Sequence, residues 1–217
     1  MEPLTIALPK GRMQDAALEL LQAIGLGPTP EALNGRKLVF PDASGSVRYV
    51  LAKPADVPTY VEYGAADVGV AGEDVLRESG RQVYEPLRLG FGQCRLMLAG
   101  PPEARDRNLR LDIGLRVASK YPRLAQAYCL KQGIPAEIIP MSGSVELAPV
   151  VGLADLLVDL VETGTTLREN GLVELDLIMR SEAVLIVNRA SHKLRFAAIQ
   201  RLISDLSSVV AAKGERS

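Results

Sequence analysis

Short apolar runs alternate along the chain with stretches in which apolar residues recur at helical spacing. Leu4–Leu8 and Val47–Ala52 predict buried strands, whereas residues 13–24 place apolar side chains on one helical face and end at Gly25. The alternation continues to the end of the chain, where residues 193–212 predict one long helix. A regular succession of strands and helices is typical of an α/β fold with a mostly parallel sheet.

One segment interrupts this rhythm. Gly100–Arg107 is polar and contains two prolines, so it predicts a surface turn. A second series of strands and helices follows it. We therefore predict two α/β lobes with a cleft between them and a boundary near residue 90.

Composition limits the possible partners. Apolar residues make up 47% and charged residues 24% of the 217 positions, which provides a core of ordinary size. The formal net charge of -1 attracts no polyanion, so we predict no nucleic-acid partner. Phosphate binding would depend on locally placed lysine, arginine and backbone N–H groups. The single histidine, His192, excludes a two-histidine metal motif and, just before the last predicted helix, favours a surface or capping role.

The chain shows no membrane or export signal. No stretch approaches the roughly 20 apolar residues of a membrane span, and the first residues lack the basic and apolar regions of a signal peptide. We therefore predict a cytoplasmic protein with no membrane partner.

An acid-bearing strand followed by a threonine and glycine loop is the strongest candidate for chemistry. Residues 156–161 form an apolar run interrupted by Asp159, which is typical of a buried strand whose carboxyl end faces a site. The loop leads into a helix-like stretch that ends at Gly171. This order of strand, loop and helix start aims free N–H groups at one point, beside the positive end of a helix.

The residue types in the loop suit a sugar 5′-phosphate. Gly164 lets the backbone approach an anion closely, and the hydroxyls of Thr163, Thr165 and Thr166 add uncharged donors. A nucleotide-binding P-loop would need a lysine after its last glycine, and none follows here. A capped tight turn is the alternative interpretation of such a segment, but the acid before the loop favours the sugar phosphate.

Two carboxylates are candidates for binding the ribose of such a ligand. A ribose 5-phosphate presents its 2′- and 3′-hydroxyls near the phosphate, and carboxylates accept hydrogen bonds from hydroxyls. Asp159 in the predicted strand is one candidate, and Glu146 in the segment Ser142–Glu146 is the other.

A longer pattern around the loop is similar to the signature of the ATP phosphoribosyltransferase family. The matching residues are Glu146, Gly152, Ala154, Leu157, Asp159, Leu160, Thr163, Gly164, Thr166 and Leu167. The family more often has isoleucine or valine where Leu157 stands, an apolar exchange within a strand. Further resemblance at Ala7–Arg12, Asp56–Val61, Gly64–Gly69 and Gly90–Arg95 extends the match over most of the chain.

The resemblance implies the family's reaction, which joins N1 of ATP to C1 of phosphoribosyl pyrophosphate and releases pyrophosphate in the first step of histidine biosynthesis. By the same resemblance, the 5′-phosphate would be held by Thr163, Gly164, Thr165, Thr166 and Leu167. Glu146 and Asp159 would hold the ribose hydroxyls. Mg²⁺ would be bound largely through the substrate's own oxygens, without a metal site built from protein ligands alone.

The resemblance also implies an architecture and a partner. The catalytic lobes of the family resemble type II periplasmic-binding-protein domains with the active site in the cleft. We accordingly expect one discontinuous lobe of residues 1–90 and 180–217, and a second lobe of residues 91–179 that carries the loop. The chain resembles the short form of the family, which works with a regulatory subunit similar to histidyl-tRNA synthetase, and the expected assembly is a hetero-octamer.

Positive charge for two polyanionic substrates must come from placed side chains, because the reaction needs no nucleophile from the protein. Lys10 and Arg12 follow the first strand and are the candidate catalytic cations, in contact with ATP or pyrophosphate; a solvated loop is the alternative. Arg48 and Lys53 flank another strand and are further candidates for the same contacts. Arg95 lies within a strand, where an unpaired charge is costly, so it either has a structural partner or faces the cleft.

Two other functions fit parts of the pattern. Purine and pyrimidine phosphoribosyltransferases share the acid strand and the loop, but they usually have two adjacent acids, whereas Leu160 follows Asp159 here. A solute-binding sensor domain with two lobes would also bind anions. The absence of a signal peptide and of a preceding DNA-binding segment disfavours that class.

Overall fold

The chain forms two compact units. The computed structural model describes residues 2–29, 32 and 37–214. Unit 1 consists of the described residues through Gly92 together with those from Glu182 onward, and unit 2 consists of Gln93–Ser181. Each unit has one sheet and its own apolar core.

The first part of unit 1 contains β1 (Leu4–Pro9), α1 (Arg12–Ala23), β2 (Val39–Pro41), β3 (Val47–Ala52), α2 (Val57–Glu62), β4 (Val68–Gly72), α3 (Glu73–Ser79) and β5 (Tyr84–Arg88). Unit 2 contains β6 (Cys94–Gly100), β7 (Leu115–Ser119), α4 (Pro122–Gln132), β8 (Ala136–Pro140), α5 (Leu147–Val150), β9 (Leu156–Val161), α6 (Thr165–Glu169) and β10 (Val173–Ser181). The chain returns to unit 1 with β11 (Ala183–Val187), α7 (Arg189–Leu194) and α8 (Phe196–Gly214). None of the helices in these described segments combines the length and the apolar character that a membrane crossing requires.

The unit 1 sheet has the strand order β2-β3-β1-β4-β11-β5, in which β3, β1 and β4 are parallel and the other neighbours antiparallel. Every residue of β1 is buried, as its apolar sequence predicts for a strand covered on both faces. The core on one face includes Leu21 of α1 and Leu202 of α8. The core on the other face includes Val61 of α2 and Leu76 of α3.

The unit 2 sheet has the order β10-β6-β9-β7-β8, in which β9, β7 and β8 are parallel. β10 and β6 are antiparallel to their neighbours. The core on one side includes Ala125 and Cys129 of α4, and the core on the other side includes Ala148 of α5 and Leu167 of α6. β9 spans the predicted bounds and lies inside the sheet, between β6 and β7.

The prediction of mostly parallel sheet is wrong, because both sheets are mixed. β6 pairs antiparallel with β9, and β11 pairs antiparallel with β4. An apolar run indicates that a strand is buried, but it does not indicate whether the strand runs parallel or antiparallel to its neighbours. The antiparallel strands lie next to the two points where the chain passes from one unit to the other. β6 follows the first of these points, and β10 and β11 lie on either side of the second, at Glu182.

The predicted long C-terminal helix, residues 193–212, is confirmed as α8, which begins slightly later because Arg195 separates it from α7. Arg195 leaves helical geometry with φ -120° and ψ 31°. Its Nη1 donates to the carbonyl of Pro3 at 2.9 Å and to Asp67 Oδ2 at 3.1 Å. The break therefore depends on residues from the other end of the chain. His192 lies in α7, half-buried and packed beside two aromatic rings.

Candidate active site

Three parallel strands of unit 2 end at one edge of its sheet. Because β9, β7 and β8 run in the same direction, the segments after their carboxyl ends meet there. We call this the unit 2 edge; it comprises Lys120 after β7, residues 141–146 after β8 and residues 162–166 after β9. The N–H of Met141 donates to the carbonyl of Ser119 at 2.9 Å, which ties the exits of β7 and β8 together.

The two predicted ribose-binding acids interact electrostatically at this edge. Asp159 in β9 and Glu146 just before α5 are both half-buried. Burial raises the pKa of Asp159 and the negative charge of Glu146 raises it further. A hydrogen bond of 2.8 Å from the N–H of Leu160 and the positive charge of Lys120 oppose this rise without cancelling it. The structure thus brings both acids and one lysine within interaction range.

The backbone before Glu146 has an uncommon conformation. Ser144 has a φ of 48°, the one positive value at a non-glycine position among the described residues. A left-handed conformation at such a residue costs roughly 1–2 kcal/mol, and conformations of this kind concentrate at functional sites. The carbonyl of Ser144 accepts a hydrogen bond of 3.1 Å from the N–H of Leu147, so this turn helps to position Glu146 at the start of α5.

Gly164 shapes the loop after β9. Its φ is 74°, in the left-handed region, which a residue with a Cβ rarely adopts. A Cβ built at this position would lie 3.1 Å from Arg168 Nη1 and 3.1 Å from Glu174 Oε1. Glycine is therefore needed both for the turn and for the space between these two side chains.

The loop presents hydrogen-bond donors around the start of α6. Thr163, Thr165 and Thr166 are exposed, and the hydroxyl oxygens of Thr163 and Thr165 lie 3.1 Å apart. α6 has only five residues, and the first N–H groups of a helix have no partner within it. Leu167 is buried in the unit 2 core, so it anchors the short helix while the threonines remain accessible.

Three charged residues near the loop or Asp159 were not identified from the sequence: Lys120, Arg168 and Glu174. Arg168 donates from Nη1 to the carbonyl of Thr163 at 3.0 Å. Arg95 forms a two-contact ion pair with Glu174, at 2.6 and 2.9 Å, which confirms the structural-partner alternative for Arg95. Lys120 directly follows a buried strand, as Lys10 does. Lys10 was chosen as a candidate cation for that position, and the same criterion applied to unit 2 would also have selected Lys120. No local signal pointed to Arg168 or Glu174.

Two of the predicted cations lie together in unit 1. β1 and β3 are parallel, with Pro9 opposite Ala52, and the N–H of Lys10 donates to the carbonyl of Ala52 at 2.8 Å. Lys10 and Lys53 therefore leave neighbouring strands at the same end, which we call the unit 1 edge. Both side chains are exposed. Arg12 follows Lys10 closely, at the exposed start of α1.

Arg48 does not join this group. It lies opposite Thr5 in the β1–β3 pairing, and its Nη2 donates to Thr5 Oγ1 at 2.9 Å. At about 3.3 Å per residue, its backbone is on the order of 13 Å from Ala52 at the unit 1 edge. The sequence already placed Arg48 and Lys53 at opposite ends of a strand segment, and the contact with Thr5 shows that Arg48 has a partner away from the unit 1 edge, so we leave Arg48 out of the site.

Protein groups alone would not complete the coordination shell of a metal ion at these positions. Within the described residues there is no group of three or more His, Cys, Asp or Glu able to hold a metal ion. Glu146 and Asp159 offer two carboxylates at the unit 2 edge. A divalent ion bound there would need further oxygen ligands from water or substrate, which is how Mg²⁺ is commonly held.

The sequence is similar to known enzymes over almost its whole length. The family model HisG, described as ATP phosphoribosyltransferase, matches residues 53–208. The ATP phosphoribosyltransferase of Sorangium cellulosum is 51% identical over 213 residues, which cover 98% of this chain and 99% of that protein. The enzyme of the same name from Ruminiclostridium cellulolyticum is 48% identical over 215 residues, 99% of this chain and 100% of that protein.

Solved structures agree with the sequence matches. A chain of the "ATP phosphoribosyl transferase (HisG:HisZ) complex from Thermotoga maritima" is 34% identical, with a TM-score of 0.84 over 96% of this chain and 99% of that chain. The periplasmic aliphatic sulphonate binding protein SsuA from Escherichia coli is 14% identical, with a TM-score of 0.62 over 100% of this chain and 71% of that chain. This likeness of fold confirms the prediction of lobes resembling periplasmic binding proteins. The chain belongs to the ATP phosphoribosyltransferase family, whose members join N1 of ATP to C1 of phosphoribosyl pyrophosphate in the first step of histidine biosynthesis.

Proposed function

We propose that the unit 2 edge binds phosphoribosyl pyrophosphate for the family reaction. The observation that carries the proposal is the convergence of Asp159, Glu146 and the loop 163–167 at the ends of three parallel strands. A ribose 5-phosphate needs an anion site and, close to it, acceptors for two hydroxyls. This edge offers donors in the loop and acceptors in the two acids.

We assign the 5′-phosphate to the loop. The N–H groups at the start of α6 and the hydroxyls of Thr163, Thr165 and Thr166 are the donors. Gly164 allows close approach, and Leu167 fixes the helix start from the core. Anions are stabilised at such a position by unpaired N–H groups rather than by net charge.

We assign the ribose hydroxyls to Asp159 and Glu146, acting as hydrogen-bond acceptors. Both must be ionised for this role, because a protonated carboxyl loses acceptor capacity. With the sugar held at two points, C1 is fixed for attack by N1 of ATP. The C1–N1 bond forms as the C1–O bond to pyrophosphate breaks, and the bonding electrons leave with pyrophosphate.

The positive charge for ATP and pyrophosphate is assigned to Lys10, Arg12 and Lys53, with Lys120 beside the acids. No group of the protein needs to form a bond to substrate in this transfer, so stabilising the developing negative charge on pyrophosphate is the main task of the protein. Exposed lysine and arginine side chains after buried strands suit that task, because they can follow a charged group without losing their own hydration.

Mg²⁺ is part of the proposal as an ion carried by the substrate. Glu146 and Asp159 are the carboxylates that could contribute to its shell, and phosphate oxygens and water would complete it. When bound, the ion neutralises charge on pyrophosphate.

We also propose a regulatory partner and a cytoplasmic location. The Thermotoga maritima relative is described as a HisG:HisZ complex, and we propose that this chain works in the same way with a subunit similar to histidyl-tRNA synthetase, as a hetero-octamer. Mixing the two proteins should raise the rate of product formation and shift the elution volume in size-exclusion chromatography. An unchanged rate and an unchanged elution volume would both speak against the partner.

The decisive experiment is a coupled assay for phosphoribosyl-ATP and pyrophosphate, with the full chain, ATP, phosphoribosyl pyrophosphate and Mg²⁺, in the absence and presence of the regulatory subunit. We expect both products in equal amounts. Isothermal titration with phosphoribosyl pyrophosphate tests the site itself: binding should be lost in Asp159→Ala and Thr166→Ala. Equal binding by wild type and both variants would overturn the assignment to the unit 2 edge.

A further inference from the structure

Arg168 is hydrogen-bonded across the loop that we assign to the 5′-phosphate. Its Nη1 donates to the carbonyl of Thr163 at 3.0 Å, and its Nη2 donates to Thr165 Oγ1 at 3.1 Å. One planar guanidinium therefore bridges the two residues on either side of Gly164. A fixed fork of donors is a property of arginine that lysine does not share.

The first contact orients a backbone donor. In a trans peptide, the C=O of one residue and the N–H of the next point in opposite directions, and no cis peptide bond occurs in the described residues. Because Arg168 holds the carbonyl of Thr163 on its own side of the loop, the N–H of Gly164 is turned to the opposite side. The partial negative charge of that carbonyl is thereby kept away from an anion bound on the side of the N–H.

The second contact orients a side-chain donor. A threonine hydroxyl has one hydrogen and two lone pairs. When Thr165 Oγ1 accepts from the Arg168 guanidinium, its own hydrogen remains to be donated, and the charged donor makes the hydroxyl a stronger donor. Thr163 Oγ1, at 3.1 Å, is the acceptor within reach of that hydrogen in this structure, and a phosphate oxygen can take its place.

A carboxylate paired with a second arginine adjoins the same Cβ position of Gly164 as Arg168. Glu174 Oε1 would lie 3.1 Å from a Cβ at Gly164, as would Arg168 Nη1. The carboxylate of Glu174 is neutralised by its two contacts with Arg95. Arg168 and the Arg95–Glu174 pair thus lie beside the same position of the loop, and these three groups together carry one net positive charge.

We infer that Arg168 is a positioning residue for phosphoribosyl pyrophosphate, which holds the Thr163–Gly164 peptide and the Thr165 hydroxyl so that both donate to the 5′-phosphate. The inference rests on the proposed function of the loop. Arg168 would act by orienting groups of the loop. This role requires the forked shape of the guanidinium as well as its positive charge.

Steady-state kinetics of three substitutions test this role: Arg168→Ala, Arg168→Gln and Arg168→Lys. Arg168→Ala and Arg168→Gln should raise the KM for phosphoribosyl pyrophosphate about tenfold or more, the expected size for losing a charge-assisted pair of hydrogen bonds. The KM for ATP should stay within about twofold. Arg168→Lys should recover little, because one ammonium cannot bridge both oxygens, whereas added guanidinium ion should restore part of the activity of Arg168→Ala.

Arg105→Ala is the matched control. Arg105 is an exposed arginine of unit 2, on the short 3-10 helix Pro102–Asp106 and away from the loop. The substitution removes the same charge, and both KM values should be unchanged. Because Arg168 is exposed, its variants should retain the thermal unfolding midpoint of the wild type, and Arg168→Gln preserves most of the side-chain volume if the alanine variant is destabilised.

The outcomes distinguish the role of Arg168 from the proposed function of the loop. A KM for phosphoribosyl pyrophosphate within twofold of wild type in both neutral variants, or full recovery in Arg168→Lys, would overturn the inference while leaving the proposed function intact. Failure of the wild-type chain to bind phosphoribosyl pyrophosphate by isothermal titration would instead remove the proposed function on which the inference depends.

Discussion

The carboxyl edges of the two sheets have the same backbone plan and opposite chemistry. Each is formed by three parallel strands. At the unit 1 edge, Lys10 and Lys53 begin the segments after β1 and β3 and are exposed. At the unit 2 edge, Asp159 and Glu146 are half-buried beside a loop of threonines and glycine. The parallel strands decide where polar groups gather, and the residue types decide what they bind.

Burial makes the second edge more sensitive to change than the first. Asp159 lies within a strand, where its ionisation depends on neighbours, and its pKa is raised by burial and by Glu146. The lysines of unit 1 are on exposed segments, where a neighbouring cation or water can partly replace a lost charge. We therefore expect substitutions at the unit 2 edge to have the larger effects.

The largest effect is expected at the ribose and phosphate contacts. Asp159→Ala and Thr166→Ala should each lower kcat/KM for phosphoribosyl pyrophosphate on the order of 100-fold, because they remove contacts that position C1. The measurement is steady-state product formation with each substrate varied in turn. Rates within twofold of wild type for both variants would remove these residues from the site and break the contrast between the edges.

The next effect concerns the shape of the loop. Gly164→Ala should lower kcat/KM for phosphoribosyl pyrophosphate about tenfold or more, since a Cβ would strain the left-handed backbone and crowd Arg168 and Glu174. Gly133→Ala is the matched control, because Gly133 also has a positive φ, 69°, but has open space around its Cβ position. Gly133→Ala should lose stability through its left-handed backbone alone, Gly164→Ala should lose somewhat more through crowding, and only Gly164→Ala should lose activity. Equal activities would contradict the role of the loop.

A smaller effect is expected at the unit 1 edge. Lys10→Ala should lower kcat/KM about tenfold, the size expected for one charge-assisted contact with a phosphate. Arg48→Ala should change it by less than about twofold, because Arg48 binds Thr5 near the other end of the strands. Measuring kcat/KM of both variants for ATP and for phosphoribosyl pyrophosphate also shows which substrate Lys10 contacts. A larger loss in Arg48→Ala than in Lys10→Ala would reverse our placement of the cations.

The smallest effect is a shift in pH dependence. Asp159 must be ionised to accept from ribose, and its pKa is raised, so activity should fall on the acid side at a higher pH than for an ordinary aspartate. Glu146→Gln removes one cause of that rise. The acid limb of the kcat/KM profile for phosphoribosyl pyrophosphate should therefore move to lower pH, whatever the overall loss of rate. A limb that stays in place or moves to higher pH would show that Glu146 does not act on Asp159.

Local pattern predicted the buried strands well but missed β5, a strand at the edge of the unit 1 sheet. β3 and β9 have the predicted bounds, because each is an apolar run with one charged residue, as expected for a strand that is largely buried. β5 was not predicted, since its residues are largely exposed at the sheet edge and show no apolar run. Its place in the sheet comes from pairing with β11, a strand from the far end of the chain.

The site residues also divide into those that the local sequence identified and those that only the folded chain brought together. The loop and Asp159 could be identified from sequence because strand, turn and helix start are consecutive, and their geometry follows from local backbone rules. Arg95 could be assigned only two alternatives, because its partner Glu174 is 79 positions away. The interaction of Lys120 with Asp159 and the contact of Arg48 with Thr5 could be found only once strand pairing and direction were known.

The sequence by itself determined the buried strands, the loop at residues 163–167 and, through the signature around it, the family. These features depend on neighbours along the chain, whose burial and backbone geometry leave a periodic or contiguous pattern. Only the tertiary structure decided the mixed strand directions, the break at Arg195 and the bridge that Arg168 forms over the loop. Each of these depends on which backbone and side-chain groups meet in the folded chain, and hydrogen bonds and ion pairs between such groups leave no periodic trace in the sequence.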